Sequence, residues 1–514
     1  RSNLDVNITK RLKATLDLSG RFEDRNEPGL DFAQLMTGMY MSLPVYPVKY
    51  PDKSIVPYTG LNAYNPYYAS QTEFSGYNAD KFKMFRGTFG LNYNFNDFIK
   101  GLSADFRFDY KIYDTFRKTF KKPFTTYYYS YDYDTQEYSY QPSSIVFNGG
   151  KTTLNESYSR DWDWLLNYKL LYQRDFGRHN VGALVLYEAL SGRHDVFTAY
   201  REGFISPVID QIFAGSDIGK DNSGSASESG RHSVVGRFNY SYAEKYLAEF
   251  IFRYDASPKF AEDYRWGFFP GVSIGWRISE EEFIQSSLPV ISNLKLKASY
   301  GQTGLEGSVN FNYLSGYEFT GNYIFDAGNT LAPGLATTGL ANEAATWATS
   351  TIYNAGLEGS LFKDKLFFEV NGFYNIREGI LATRQAAIPN TFGARLPEEN
   401  LNSFDTRGFE VELGYRNVIG KLFYTITGNA SWARSKWLHY EEPDYSTPEE
   451  QYRYQRTGNW TNLTYGLLTD GLFSSQEEID GWADITNGAN NNVIMVGDIR
   501  FLDLNDDGVI DWRD

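Results

Sequence analysis

The sequence predicts an all-β fold, a transmembrane antiparallel β-barrel with long extracellular loops, of which about fourteen strands are present. Three observations lead there: paired long alternating segments joined by tight turns, regular alternation of those turns with long polar connectors, and a heavy load of aromatic residues. The first pair sits at the start. Leu4, Val6 and Ile8 alternate with Asn3, Asp5, Asn7 and Thr9; beyond Lys10 and Arg11, Leu12, Ala14, Leu16, Leu18 and Phe22 alternate with Lys13, Thr15, Asp17, Ser19, Arg21 and Glu23. Period 2 sends the two sets to opposite faces, one apolar and one charged. The run is about twice the usual strand of ~5–6 residues. A strand of ~10 residues rising ~3.3 Å each and tilted ~40° covers about 25 Å, the height of the apolar band on an outer-membrane barrel.

The same unit recurs. Phe85, Phe89, Leu91, Tyr93 and Phe95 share a face, and after a turn at 96–101 the chain returns with Leu102, Ala104, Phe106, Phe108 and Tyr110. Further tight turns fall near 175–180, 243–245, 363–365 and 417–420, and Val272, Ile274, Trp276 and Ile278 pair across a longer turn with Leu294, Leu296, Ala298 and Tyr300. The intervening connectors span 24–84, 114–161, 190–231, 302–350, 378–405 and 434 onward, with 256–265 the short member of that set. Strands reverse at each connection, so the tight turns gather at one end and the long loops at the other, the periplasmic-turn and extracellular-loop pattern. Leu12, Leu16, Phe106, Phe108, Val272, Ile274 and Trp276 are expected to face lipid, and Lys13, Asp17, Arg107 and Arg277 the lumen.

Composition agrees. The chain has 514 residues, 41 Tyr and 38 Phe, and aromatic residues suit the girdles at both membrane interfaces. No run of 18 apolar residues exists to form a membrane helix. Absence of cysteine excludes a disulfide framework. A net charge of −15 argues against nucleic acid. The Ser/Gly-rich stretch 221–230 reads as part of a long loop. The pattern opens within a strand at Arg1 and stops within a loop at Asp514, so the expectation is a barrel portion of a longer protein.

Asp503, Asn505, Asp507, Gly508, Val509, Asp511 and Asp514 match positions 1, 3, 5, 6, 7, 9 and 12 of a twelve-residue calcium loop. Calcium takes six to eight oxygen ligands, and acids at alternate positions can wrap one ion. The last position carries Asp where an EF-hand has Glu, and no helical pattern precedes the loop; the alternative is a solvated acidic turn built on Asp-Gly. Tyr127, Tyr128, Tyr129, Tyr131, Tyr133, Tyr138 and Tyr140 cluster in one long loop and Trp460 and Tyr465 in another. They are candidate stacking surfaces for sugar or peptide, or packing residues over a barrel mouth. Of these, Tyr127, Tyr128, Tyr129, Tyr131 and Trp460 are taken as the cargo-binding set. The four histidines lack metal spacing, residues 215–221 fail the P-loop pattern, and no Ser/His/Asp arrangement is present, so no enzyme is expected.

Several stretches resemble the SusC/RagA family of TonB-dependent outer-membrane transporters: RSNLDVNITKRL (1–12), KYLAEFIFRYDASPKF (245–260), RWGFFPGVSIGWRISEEEF (265–283), LKLKASYGQTG (294–304), YGLLTDGLFSSQEEID (465–480) and GDIRFLDLNDDGVID (497–511). Ala256, Gly271 and Leu305 are small departures from the family pattern. The resemblance implies a 22-stranded barrel in the outer membrane, an N-terminal plug and final strands outside this chain, and energy from the TonB complex through the missing plug segment. It also implies a SusD-like lipoprotein as lid, and import of glycans or oligopeptides by Bacteroidota. A passive porin-type barrel and a soluble or surface β-rich adhesin are the alternatives; a plug upstream of Arg1 would separate the importer from the porin, and strand length with one-sided loops disfavours the adhesin.

Overall fold

The computed structural model describes residues 1–52, 54–60, 64–307, 311–324, 331–385, 390–486 and 488–514. Parts of four expected connectors (53 and 61–63, 308–310 and 325–330, 386–389, and 487) lie outside the described residues. The chain divides into two compact units, residues 1–171 with 186–232 and residues 172–185 with 233–514.

Fourteen strands pair in chain order into one sheet. They are β1 (Ser2–Asn7), β2 (Leu12–Pro28), β3 (Gly76–Asn94), β4 (Leu102–Lys121), β5 (Thr153–Phe176), β6 (His179–Glu202) and β7 (Asp221–Tyr242). There follow β8 (Tyr246–Ala256), β9 (Trp266–Arg277), β10 (Ile291–Leu305), β11 (Ala348–Leu361), β12 (Leu366–Thr383), β13 (Glu398–Ile419) and β14 (Leu422–His439). Tight turns close at the expected places. Gly177 (φ 63°) and Gly420 (φ 64°) supply the left-handed backbone that a two-residue hairpin loop requires. Within each unit the short turns lie at one end of the strands and the long connectors at the other, called here the outer end.

The register fixes the faces. In the first unit Leu16 stands opposite Phe89, which stands opposite Phe108, while Asp17 faces Thr88 and Thr88 faces Asp109. Leu16 is 37% exposed and Phe89 39%, whereas Thr88 and Asp109 are 7% and 5% exposed. This inverts the burial order of a water-soluble sheet. In the second unit Ile274, 59% exposed, lies between Ala248 and Ala298. The residues expected to face lipid thus share the apolar, exposed face, and Lys13, Asp17, Arg107 and Arg277 share the other.

Two expectations need correction. Strands of ~10 residues are too short: β5 and β6 have 24 residues each and β7 has 22, against 11 and 12 for β8 and β9. The Ser/Gly-rich stretch 221–230 is no loop but the outer half of β7. Pairing with β6 overrides its weak strand propensity: Thr198 Oγ1 meets Ser223 Oγ at 2.6 Å, and Arg193 reaches Glu228 at 2.9 Å. The connectors also carry structure of their own. Those of the first unit hold a helix over Phe32–Met41 and a small sheet of Val56–Pro57, Thr125–Asp132 and Glu137–Val146. The apolar cores lie at the outer end: Leu30, Val56, Tyr68, Ala69, Phe124 and Phe147 in the first unit, and Phe260, Phe269 and Trp347 in the second.

Candidate functional site

The apolar face is a band of limited height. On β2, β3 and β4 it runs from Leu12, Tyr93 and Ala104 to Gly20, Phe85 and Ile112, then turns charged within one or two positions: Lys83 stands opposite Asp114 and Asp24 opposite Lys81. Asp114 accepts from Arg160 Nε at 2.7 Å and from Tyr158 OH at 2.8 Å. On β6 the residues in phase with Val185 and Tyr187 become Arg193 and Asp195, an ion pair at 2.9 Å. The apolar stretch is therefore about 9–11 residues on each strand, the length that crosses a bilayer in β form. On β9 the band is bracketed by Trp266 and Trp276. Trp266 stacks on Tyr254 with centroids 4.6 Å apart at the outer edge, while Trp276 Nε1 (3.2 Å) and Tyr246 OH (2.7 Å) both donate to Glu281 at the inner edge. Amphipathic rings with polar tips at both edges match the girdles of a membrane barrel.

The opposite face is lined by matched charges. Arg86 pairs with Asp109 at 2.9 Å, Lys111 with Asp163 at 2.9 Å and Lys169 with Asp105 at 3.1 Å in the first unit. In the second, Lys295 and Lys297 converge on Glu358 at 3.2 and 3.1 Å, and Lys297 also meets Glu369. A Cβ at Gly356 would stand 2.9 Å from Lys297 Cε, so glycine there lets the lysine lie along the wall. Lys295, Lys297 and Glu369 border a cavity of about 670 Å³ with Asn239, Ser273 and Asn371. Such a wall offers water and polar solutes many partners and little net charge.

Tyr127, Tyr128, Tyr129 and Tyr131 sit on a strand of the small outer sheet, not in an irregular loop. Alternation divides them: Tyr129 and Tyr131 share a face with Tyr138 and Tyr140, while Tyr128 approaches Tyr58 at 6.5 Å on the other. Tyr129 stacks on Tyr138 (4.9 Å, 9°), Tyr131 lies 4.7 Å from Tyr138, and Tyr50 lies 4.8 Å from Tyr140. Tyr50 OH donates to the Tyr127 carbonyl at 3.1 Å. Tyr50 and Tyr58, from the connector after β2, were missed in the sequence; the signal was the Tyr-rich run from Tyr46 to Tyr58. The rings spend much of their surface on one another, leaving Tyr129, Tyr133 and Tyr138 the most open.

Trp460 belongs to the other unit. Its segment pairs along the outer part of β14, with Trp437 N donating to Asn459 O (2.9 Å) and Thr461 N to Ser435 O (2.9 Å). Arg434 lies 4.3 Å and Arg407 5.7 Å from its ring. The two guanidinium groups make Trp460 a cation-π centre of the protein itself.

The 503–514 loop closes on itself. Asp503 Oδ2 accepts from Gly508 N (2.8 Å), Asn505 Oδ1 from Asp507 N (3.0 Å), and Asp507 Oδ1 from Val509 N (2.9 Å). Asp514 reaches back to Leu504 N (2.9 Å) and takes Asp511 N (2.8 Å), so the shorter acid at position 12 does span the loop. Arg513 pairs with Asp507 at 3.0 Å and with Asp511 at 2.9 Å, and holds the Asp511 carboxyl below its ordinary range. Among the described residues no three His, Cys, Asp or Glu side chains converge as a metal cage. Asp503 Oδ1 is enclosed and has no hydrogen-bond partner. Asp484 staples the loop from beside it, through Asp484 N to Gly508 O (2.9 Å) and Ile510 N to Asp484 O (3.0 Å). Hydrogen bonds from the Thr486 hydroxyl and amide, with further amides of Gly488 and Asn491, push the Asp484 carboxyl down to about 2.

An exposed apolar band with aromatic edges, backed by an ion-paired polar face, is the wall of a membrane barrel. The family model described as TonB dependent receptor-like, beta-barrel matches residues 18–509. The chain belongs to that family. It is 26% identical over 537 residues to TonB-dependent receptor P3 of Formosa agariphila, covering 100% of this chain and 50% of the relative. It is 30% identical over 203 residues to the TonB-dependent receptor SusC of Bacteroides thetaiotaomicron, covering 39% of this chain and 20% of SusC. Among solved structures it is similar to the RagAB peptide transporter, with a TM-score of 0.70 and 20% identity over 92% of this chain and 50% of that one. The likeness to SusC and the RagAB fold agrees with the SusC/RagA resemblance of its motifs. The chain spans about half the length of the P3 receptor. Its place is the bacterial outer membrane, with the apolar band in lipid and the polar face toward the lumen.

Proposed function

We propose that this chain is the barrel wall and part of the outer mouth of an active importer, not an enzyme. Import would draw on the TonB complex through a plug segment beyond this chain, and a SusD-like lipoprotein would close the mouth over cargo. The single observation that carries this reading is the wall itself: a lipid-facing band about 25 Å high with a charge-matched inner face, in a chain of the TonB-dependent family. The cargo is proposed to be a glycan or an oligopeptide that first meets Tyr127, Tyr128, Tyr129, Tyr131 and Trp460. The named relatives support transport: one is a peptide transporter and others are TonB-dependent receptors. The test is uptake by cells carrying the full-length receptor, with and without a proton-motive uncoupler. Uptake of a cognate glycan or peptide should stop with the uncoupler; uptake that persists identifies a passive porin instead.

For the 503–514 loop the proposed occupant is calcium, on the support of the unpartnered Asp503 Oδ1 and an oxygen-only donor set. The ion would have to displace Arg513 from Asp507 and Asp511. Affinity in the ~10⁻⁴–10⁻³ M range of extracellular calcium modules is expected. Terbium luminescence sensitised by Trp512 should therefore saturate in the wild type, strengthen in Arg513→Ala and vanish in Asp503→Asn. No sensitised signal in Arg513→Ala would leave the loop an acidic turn.

A further inference from the structure

On the lumen face of the second unit, one cation lacks the acid that its neighbours have. Steps of two along β12 run Glu369, Asn371, Phe373, Asn375 and Arg377, so Arg377 shares the face of the ion-paired wall. On that face Lys295 and Lys297 meet Glu358, Arg253 meets Asp255 at 2.9 Å, and Arg277 meets Glu280 at 3.0 Å. Arg377 has no carboxylate partner among the described residues. Its guanidinium carbon lies 5.1 Å from the centre of the Phe404 ring, and its Nε is enclosed without a hydrogen bond. An enclosed donor left unmade is costly, and a half-buried cation is held best beside an anion.

The register builds a site around this group. Arg377 stands between Ser350 on β11 and Phe404 on β13, and Phe404 stands opposite Trp437 on β14. The Phe404 and Trp437 rings meet at 5.4 Å and 75°, an aromatic step beside the guanidinium. The next row toward the membrane holds Asn375, Thr406 and Ser435, all neutral. Ser350 Oγ donates to Asn375 Oδ1 at 2.7 Å, and Thr406 Oγ1 lies 2.8 Å from Ser435 Oγ, so these groups satisfy one another and not Arg377. The pairing shifts between Arg377 and Ile380, Gly379 takes φ 68°, and Asn400 Nδ2 donates to Gly379 O at 2.6 Å. A bulge of this kind re-aims the side chain beside it. Height is read on the outward face of the same strands. The stacked pair Phe409 and Trp432 closes the apolar band; above it Arg407 stands opposite Arg434, and then Asp405 opposite Lys436. Arg377 follows Ile376, which faces Asp405, so it lies above the band, at the outer mouth, where an entering solute passes.

We propose that Arg377 selects anionic cargo: its guanidinium takes a carboxylate carried by the cargo, while Phe404 and Trp437 support the adjacent part of the same molecule. A planar guanidinium matches a carboxylate with two parallel N–H donors. A uronate of an acidic glycan and an acidic side chain of a peptide both present that group. The proposal rests on the reading of the chain as an importer. The test measures binding of oligogalacturonates and of Asp-rich peptides to the full-length receptor, each against its neutral counterpart, carboxyl-reduced oligosaccharides and Asn-rich peptides. At least one acidic pool should bind about tenfold or more tighter than its counterpart, and the pool that does so identifies the source of the carboxylate. Arg377→Gln should abolish the preference and Arg377→Lys should keep part of it, both with the heat-modifiable barrel intact. Equal binding of acidic and neutral pools, no binding of either acidic pool, or a preference that survives Arg377→Gln overturns the inference. If cells take up a neutral glycan or peptide and the uncoupler stops it while neither acidic pool is preferred, the importer reading stands and this inference falls. Depletion of the barrel by Arg377→Gln with an unchanged preference in Arg377→Lys would assign the arginine to a carboxylate of the receptor itself, and the inference falls again.

Discussion

The β8–β9 and β6–β7 hairpins are built from the same alternation yet stop at different heights. In β8–β9 the strands have 11 and 12 residues, and the chain turns back as soon as the Tyr254–Trp266 pair marks the outer edge of the apolar band. In β6–β7 the strands have 24 and 22 residues, and the outward face changes from Val185 and Tyr187 to Arg193 and Asp195 part-way along. The membrane therefore accounts for about 10 residues of each strand in either hairpin. Whatever lies beyond is a water-exposed wall built by backbone pairing, which carries the 203–220 connector at its outer end.

The sharpest way to break that comparison is to put the same charge at the two heights. Ile274→Arg in β9 should cost about 1–3 kcal/mol and deplete the assembled barrel on heat-modifiability gels, because it puts a cation inside the lipid-facing band, between its midplane and its inner edge. Phe197→Arg in the outer half of β6 should cost about 0–1 kcal/mol, and Ser273→Arg on the lumen face should be tolerated. Equal losses from Ile274→Arg and Phe197→Arg would mean the band is not where the charges place it. Next in size, deleting residues 127–140 should impair uptake or lid capture and spare the barrel, since that hairpin belongs to the outer sheet; undiminished growth on the cognate nutrient would retire its role. A smaller effect is expected from Asp114→Asn, which removes the carboxylate under Arg160 just above the band. An exposed pair of this kind contributes ~0–1 kcal/mol, and a loss near 3 kcal/mol in urea titration would put Asp114 inside the membrane instead.

The membrane band was legible in the sequence and the outer wall was not, for one physical reason. Within the band one face meets lipid and the other water, so Leu12 to Phe22 alternate visibly. Above it both faces meet water, as at Thr198 and Ser223, and the period fades although the strands continue. Hence 221–230 read as a loop. The tyrosines were visible as a cluster, but their division between two faces depends on the pairing of Tyr129 with Tyr140, which only the register gives. The inward turn of Asp210 in the 203–220 connector follows from contacts to Tyr77 and Lys118 more than 80 residues away. The calcium-like spacing was clear, while Arg513 among its acids set the observed geometry.

The smallest effect expected concerns acid. The Asp484 carboxyl lies at about 2, below its unfolded value near ~3.9. A depressed carboxyl stabilises the fold above the unfolded value and loses that contribution as pH falls toward the folded one. Trp482 fluorescence should report loosening of this loop between about pH 4 and 2, with the transition absent or moved in Asp484→Asn. An unchanged transition in that variant would assign it to other groups.

The central claim is that one face of the sheet meets lipid over a band about 25 Å high and the other meets the lumen. Spin labels attached through single cysteines at Val272, Ser273, Ile274, Val185 and Phe197 of the reconstituted full-length receptor test it directly by collision with oxygen and with a water-soluble nickel chelate. The account predicts oxygen-rich, nickel-poor signals at 272, 274 and 185, the reverse at 273, and a nickel-accessible label at 197. Nickel access at 274 equal to that at 273 would contradict it.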